Sequence, residues 1–211
     1  MSNYLAWAVI PLVLMIVAAP IFYVLPTSRD KYLAALRLRA KNSGYLVKMA
    51  SLDKLDAIGS ELVRSSGRVV QPKYQLMSYT WLLQPKVDFH HSFLFRRISD
   101  RIPQSISRLS KDWGLVIETT QINVTAEPNN RVSFLDKYAN ELIKIFQTLP
   151  PDVQGLLIDS KRLVIFWEEG QFKISKRRRL SNEKIEQKAE ENFEPINVCF
   201  RKLENLIDQL S

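Results

Sequence analysis

Cysteine occurs once and histidine twice in this chain of 211 residues, and glycine only six times. One cysteine excludes a disulfide framework within the chain and a cysteine-built zinc site. The glycines, at Gly44, Gly59, Gly67, Gly114, Gly155 and Gly170, are each isolated. That excludes a P-loop and a dinucleotide fingerprint, because closely spaced glycines are what let backbone amides approach a phosphate. His90 and His91 are neighbours, so on a strand they point to opposite faces and do not chelate one metal in the usual way. No serine stands in a nucleophile-elbow pattern. Cys199 falls on an apolar helical stripe, which reads as a small buried thiol. Glu168 and Glu169 follow Trp167 at a strand end; one of them faces a cleft on a catalytic reading, but adjacent acids at a hairpin end are more often solvated. These residues give a non-enzymatic protein with no cofactor and no metal.

Positive charge and one long apolar run are what the sequence has in excess. Thirty Lys+Arg against 22 Asp+Glu leave a formal charge of +8, which suits an anionic partner. From Tyr4 to Leu25 no charged residue occurs. At ~1.5 Å per residue a helix over this stretch reaches about 30 Å, the thickness of a bilayer core. Tyr4, Trp7, Phe22 and Tyr23 sit where interfacial anchors would, and Pro11 and Pro20 are tolerated in a kinked span. A cleaved leader ending near Ala18-Ala19 is the competing reading, opposed by the lack of a basic residue before the run. The basic residues Arg29, Lys31, Arg37, Arg39, Lys41 and Lys48 follow the run, so the expected topology is single-pass, with the N-terminus outside and the rest in the cytoplasm.

The expected organisation is a transmembrane anchor over 1–26, a basic juxtamembrane helix over 27–44 and a cytoplasmic domain over 45–211 with a C-terminal helix over 182–210. Thr27 and Asp30 have capping-box spacing, Tyr32, Leu33, Leu36 and Ala40 follow at helical spacing, and Asn42-Ser43-Gly44 stops the helix. Short alternating runs predict strands at Tyr45–Met49, Lys73–Leu83 and Val87–Arg97, the last two joined as a hairpin by Gln84-Pro85-Lys86. Ile102, Ile106, Leu109 and Trp113 predict a helix, and Leu115–Thr125 predicts a strand. A helix is expected over 131–148, on the stripe Val132, Leu135, Tyr138, Leu142 and Ile145. Val153–Ile158 and Leu163–Trp167 flank a turn at Asp159-Ser160-Lys161 and predict a second hairpin. The fold class expected is α+β: a transmembrane helix, then a mainly antiparallel sheet covered by helices, closed by an amphipathic helix.

The densest charge outside the juxtamembrane helix is Lys173 with Lys176, Arg177, Arg178 and Arg179. A solvated loop, a patch for anionic lipid or an acidic protein, and a nucleic-acid contact are all open readings of it. Arg29, Lys31, Arg37 and Lys41 offer a second set of contacts to anionic lipid headgroups or a partner, or else form a solvated face.

Phe22-Tyr23-Val24-Leu25-Pro26, with the basic helix that follows, resembles the start of YajC, a single-span accessory subunit of the bacterial Sec translocon. Gly44-Tyr45-Leu46-Val47-Lys48 stands where that family carries a glycine-rich segment, so the glycines are missing. Over most of its length the chain is similar to uncharacterised bacterial inner-membrane proteins labelled YajC-like, through Leu149-Pro150-Pro151, the hairpin ending at Trp167-Glu168 and the closing helix. The resemblance implies an accessory or scaffold subunit of an integral inner-membrane complex, periplasmic at its N-terminus and cytoplasmic in its domain. A membrane-tethered nucleic-acid-binding protein is the alternative.

Overall fold

A computed structural model of the protein describes residues 26–55, 63, 66–84, 92–99, 106–116, 129–169 and 181–208. Helix α1 (Ser28–Asn42) leads into β1 (Leu46–Asp53), β2 (Lys73–Leu82), β3 (Phe93–Arg97), β4 (Ile106–Arg108) and β5 (Trp113–Val116). Then come α2 (Asn129–Gln147), the hairpin β6 (Val153–Asp159) and β7 (Arg162–Trp167), and α3 (Asn182–Asp208). The seven strands form one sheet in the order β1-β2-β7-β6-β3-β5-β4, every neighbouring pair antiparallel.

Local chemistry sets the ends of α1. Thr27 Oγ1 accepts from the Asp30 amide at 3.2 Å and the Asp30 carboxylate accepts from the Thr27 amide at 2.9 Å, so two amides that the first turn leaves over are satisfied reciprocally. At the other end Gly44 adopts φ +89°, a conformation costly for residues with a Cβ, and the Tyr45 amide turns back to the Ala40 carbonyl. Tyr45 is thereby set beside Trp81, Phe193 and Phe200, with ring centroids 4.9 to 5.3 Å apart.

The three helices contribute to one core on one face of the sheet. Tyr32, Leu36 and Ala40 of α1, Leu142 and Phe146 of α2, and Phe193, Ile196, Phe200 and Leu203 of α3 bury against Tyr79, Phe95, Leu156, Leu163 and Ile165. Helix α3 passes through Pro195 without interruption. That proline removes one helical hydrogen bond, and the buried residues on both sides of it hold the helix to the sheet in spite of the loss. Two polar pairs tie α3 down further: Tyr45 donates to Asn197 Oδ1 at 2.8 Å, and Trp81 Nε1 donates to Glu204 at 3.0 Å.

The opposite face curls on itself. In a flat sheet β1 and β6, separated by two strands, would lie about 14 Å apart. Here a Cβ on Gly155 would stand 3.2 Å from Leu52 Cδ1, and Arg96 Nη2 of β3 donates to the Asp53 carbonyl of β1 at 2.9 Å. The end of β1 therefore folds across the sheet onto β6 and β3, and Gly155, beside the irregularity at Val153/Gly155, leaves it room.

Several sequence-based expectations are corrected. Among the described residues the fold is α+β, with a seven-stranded antiparallel sheet and three helices, none of them long and apolar enough to cross a membrane. The segment that carried that expectation, with Tyr4, Trp7, Pro11, Pro20, Phe22 and Tyr23, lies outside the described residues. The helix read from Ile106, Leu109 and Trp113 is instead the β4–β5 hairpin. Pairing puts Ile106 on the curled face and Trp113 on the helix-covered face, so their helix-like spacing is incidental. Strands β2 and β3 do not pair with each other; β7 and β6 stand between them. Of the strand read over Leu115–Thr125, only residues up to 116 are described.

Candidate functional site

Trp167 ends β7 and Glu169 follows two residues later, held by Arg37 of α1, with the turn Pro150-Pro151-Asp152 beside them. Together with Tyr32 of α1 and with Asn192 and Pro195 of α3, these residues line a recess of about 150 Å³. Proline and aromatic rings make most of its wall, and Asp152, Glu169 and Asn192 supply its charged and amide groups.

Glu169 is buried, its side chain 4% exposed, and it is fully engaged. Arg37 reaches in from α1 and donates Nε at 2.9 Å and Nη2 at 2.5 Å to Oε2. The Tyr79 hydroxyl donates to Oε1. The bond from Glu169 strengthens the charged form of Arg37, so the Arg37 pKa is raised. Tyr79 is raised as well, first by burial, then by the Glu169 charge and their hydrogen bond. This carboxylate is therefore committed to holding α1 on the sheet.

Asp152 differs. It is half-buried on the turn, and its carboxyl makes no hydrogen bond or ion pair with any described residue. Burial raises its pKa, the neighbouring charge of Glu168 adds to the rise, and Arg97 opposes it. Arg97 spends its own donors on the carbonyls of Val153, at 3.0 Å, and Pro150, at 3.2 Å, which fixes the turn. Across the recess Asn192 Nδ2 donates to the Tyr32 hydroxyl at 2.8 Å.

Trp167 completes the wall. It is 4% exposed, its ring lies 5.5 Å from that of Tyr79, and its Nε1–H is buried without a hydrogen-bond partner. Leaving such a donor unpaired costs about 1–3 kcal/mol, which the burial of the ring has to offset. A second, wider groove of about 340 Å³ between α2 and α3 has Glu141, Lys144, Lys202 and Asn205 along it. Its charged side chains stand at an open surface, and it has no counterpart to the buried indole donor.

Only some of the residues singled out from the sequence lie among the described residues. Arg29, Lys31 and Lys41 are exposed on α1, whereas Arg37 turns inward to Glu169. Arg37 spends Nε and Nη2 on Glu169 while its side chain stays 40% exposed. His90, His91 and Lys176 to Arg179 lie outside the described residues. Glu169, read as one of two solvated acids, is buried because Arg37 and Tyr79 satisfy it. Among the described residues, no group of three or more His, Cys, Asp and Glu side chains is placed to hold a metal ion.

Cys199 packs on the core, and burial pushes its thiol pKa up to about 12. The folded protein is expected to leave Cys199 unmodified by iodoacetamide at neutral pH, with alkylation appearing only on unfolding. Mass spectrometry of labelled native and denatured samples checks this, and prompt labelling of the native chain would contradict the burial.

No protein-family model matches the chain, and no curated protein and no solved structure matches it either. The resemblance to YajC is corrected accordingly. The inner-membrane location, the accessory role in an integral membrane complex, the lipid contacts and the tethered nucleic-acid alternative all relied on a span that no described helix supplies.

Proposed function

We propose that this domain acts by binding, without catalysis, and that its ligand site is the recess between α1, α3 and the end of β7. The observation that carries the reading is the recess itself, a space of about 150 Å³ with Tyr32, Trp167 and three prolines along it and Asp152 at its edge. The same wall holds Asp152, a carboxyl with no described partner. The acid that would otherwise be the natural proton donor or acceptor, Glu169, is held by two residues and does structural work. A recess of this volume lies below the range of drug-sized pockets and takes a compact polar group.

Trp167→Phe separates the binding role from the packing role. The substitution keeps an aromatic ring and deletes the unpaired donor, so the penalty of about 1 kcal/mol or more that it removes offsets the lost ring volume. Stability is therefore expected to change little. In a thermal-shift screen of small polar compounds, those that raise the melting temperature of the native chain are expected to lose their effect on the variant and to be recovered chemically unchanged. Compounds that stabilise both proteins equally, or that are turned over, would remove the basis of the proposal.

A further inference from the structure

The sheet ends on one side in β4, three residues long, and on the other in β1, eight residues long. A short border resists the addition of a further strand, and a long one invites it. Pairing with β2 decides which groups β1 leaves over. The Lys54 amide donates to the Pro72 carbonyl at 2.8 Å, which continues the β1–β2 register and makes that pair a hydrogen-bonded one. Opposed residues of antiparallel strands alternate between bonded and non-bonded pairs. Leu46, Lys48, Ala50 and Leu52 therefore turn their backbone groups to β2, and Val47, Met49, Ser51 and Asp53 turn theirs outward. The Asp53 carbonyl is already taken by Arg96. The free border thus runs from Val47 to Ser51 with Met49 at its centre, and among the described residues no strand pairs with it. Beside these groups Met49 is 78% exposed and Leu46 46%.

We infer that this border pairs with the same border of a second copy of the chain, antiparallel, about a two-fold axis at Met49. An axis normal to the sheet brings together residues of one face, so only a few registers are open. Centred on Met49, it uses the outward groups from Val47 to Ser51 and no others. It sets Met49 against itself, Val47 against Ser51, Leu46 against Leu52 and Lys48 against Ala50. Apolar side chains meet, and like charges are nowhere directly opposed. Centring on Lys48 would oppose that lysine to itself, and centring on Ala50 would call on the Asp53 carbonyl that Arg96 occupies. The free stretch is self-complementary in one register, which is what makes a second copy its partner.

Sedimentation equilibrium of the full chain from about 1 μM to 1 mM is expected to show monomer passing to dimer, a weak association because the border is short. Met49→Lys and Met49→Glu each set like charges face to face at the axis and are expected to weaken the dimer about fivefold or more. Their equimolar mixture is expected to recover it as a heterodimer, because the charges then attract. Met49 is exposed, so both variants are expected to keep the native circular dichroism spectrum. Ser51→Pro deletes an outward N–H that β2 does not use; it is expected to weaken the dimer likewise and serves if a charged variant does not fold. A chain that stays monomeric over the whole range would overturn the inference in favour of an extended segment of another protein. Dimerisation untouched by the variants, or lost in both charged variants without recovery in the mixture, would overturn it as well.

Discussion

Glu169→Ala is expected to lower the unfolding free energy by about 3 kcal/mol. The side chain accepts from Arg37 and Tyr79 at once, and its removal leaves the two donors in different positions. Arg37 is 40% exposed and can turn to water, which keeps the loss at the lower end of what breaking a buried pair costs. Tyr79 is wholly buried and has no such escape. Glu169→Gln retains an acceptor for the Tyr79 hydroxyl and is expected to cost about 1 kcal/mol. The exposed pair of Arg39 and Glu190 is the contrast: both side chains are more than half exposed, so Glu190→Ala is expected to fall within about 0.5 kcal/mol of the native chain. Denaturant midpoints of the three variants test the ordering. Equal midpoints for Glu169→Ala and Glu190→Ala would show that the buried network contributes nothing to stability.

Raising the pH above 10 is expected to unfold the protein. Tyr32, Tyr45 and Tyr79 all have raised pKa values, each chiefly through burial, with Tyr45 pushed up to about 12. In the unfolded chain these phenols ionise near pH 10. A folded pKa above the unfolded value means that the contribution is fully present below about pH 10 and is lost as pH rises through the folded values. The unfolded state releases its protons first, so the equilibrium moves toward it over about pH 10 to 12 and beyond. Circular dichroism and tyrosinate absorbance, followed together, are expected to change in one transition. Tyr45→Phe and Tyr79→Phe each remove an ionisable group from the core and are expected to displace that transition upward. Complete ionisation of every tyrosine near pH 10 with the secondary structure intact would contradict the burial of these three side chains.

Features that depend on neighbours along the chain were legible in the sequence. The spacing of Thr27 and Asp30 marks a helix start, and the turn at Asp159-Ser160-Lys161 between two apolar runs marks a hairpin. Features that depend on distant partners were not. Ile106, Leu109 and Trp113 carry a helical period, yet β3, lying earlier in the chain, draws the segment into the sheet. Val164 and Ile165 are buried on opposite faces, which shows in the sequence as an unbroken apolar run and signals a central strand without naming its neighbours. The recess draws on four separate stretches, at Tyr32, Pro150 to Asp152, Trp167 to Glu169, and Asn192 to Pro195, so no local motif announces it. Its one visible signal was the charged pair placed directly after a buried strand, where a solvated reading of Glu169 took no account of an arginine 132 residues away.

Strands made early in synthesis must wait for strands made late. The pair β1–β2 and the group β3, β5 and β4 meet in the sheet only through β6 and β7, which lie after Val153. Until that hairpin leaves the ribosome, the inner borders of β2 and β3 have no partner within the nascent chain, and bare strand borders of this kind recruit strands from other molecules. The final hairpin is thus the keystone of assembly, and a polypeptide that stops short of it holds two fragments of a sheet with no strand to join them.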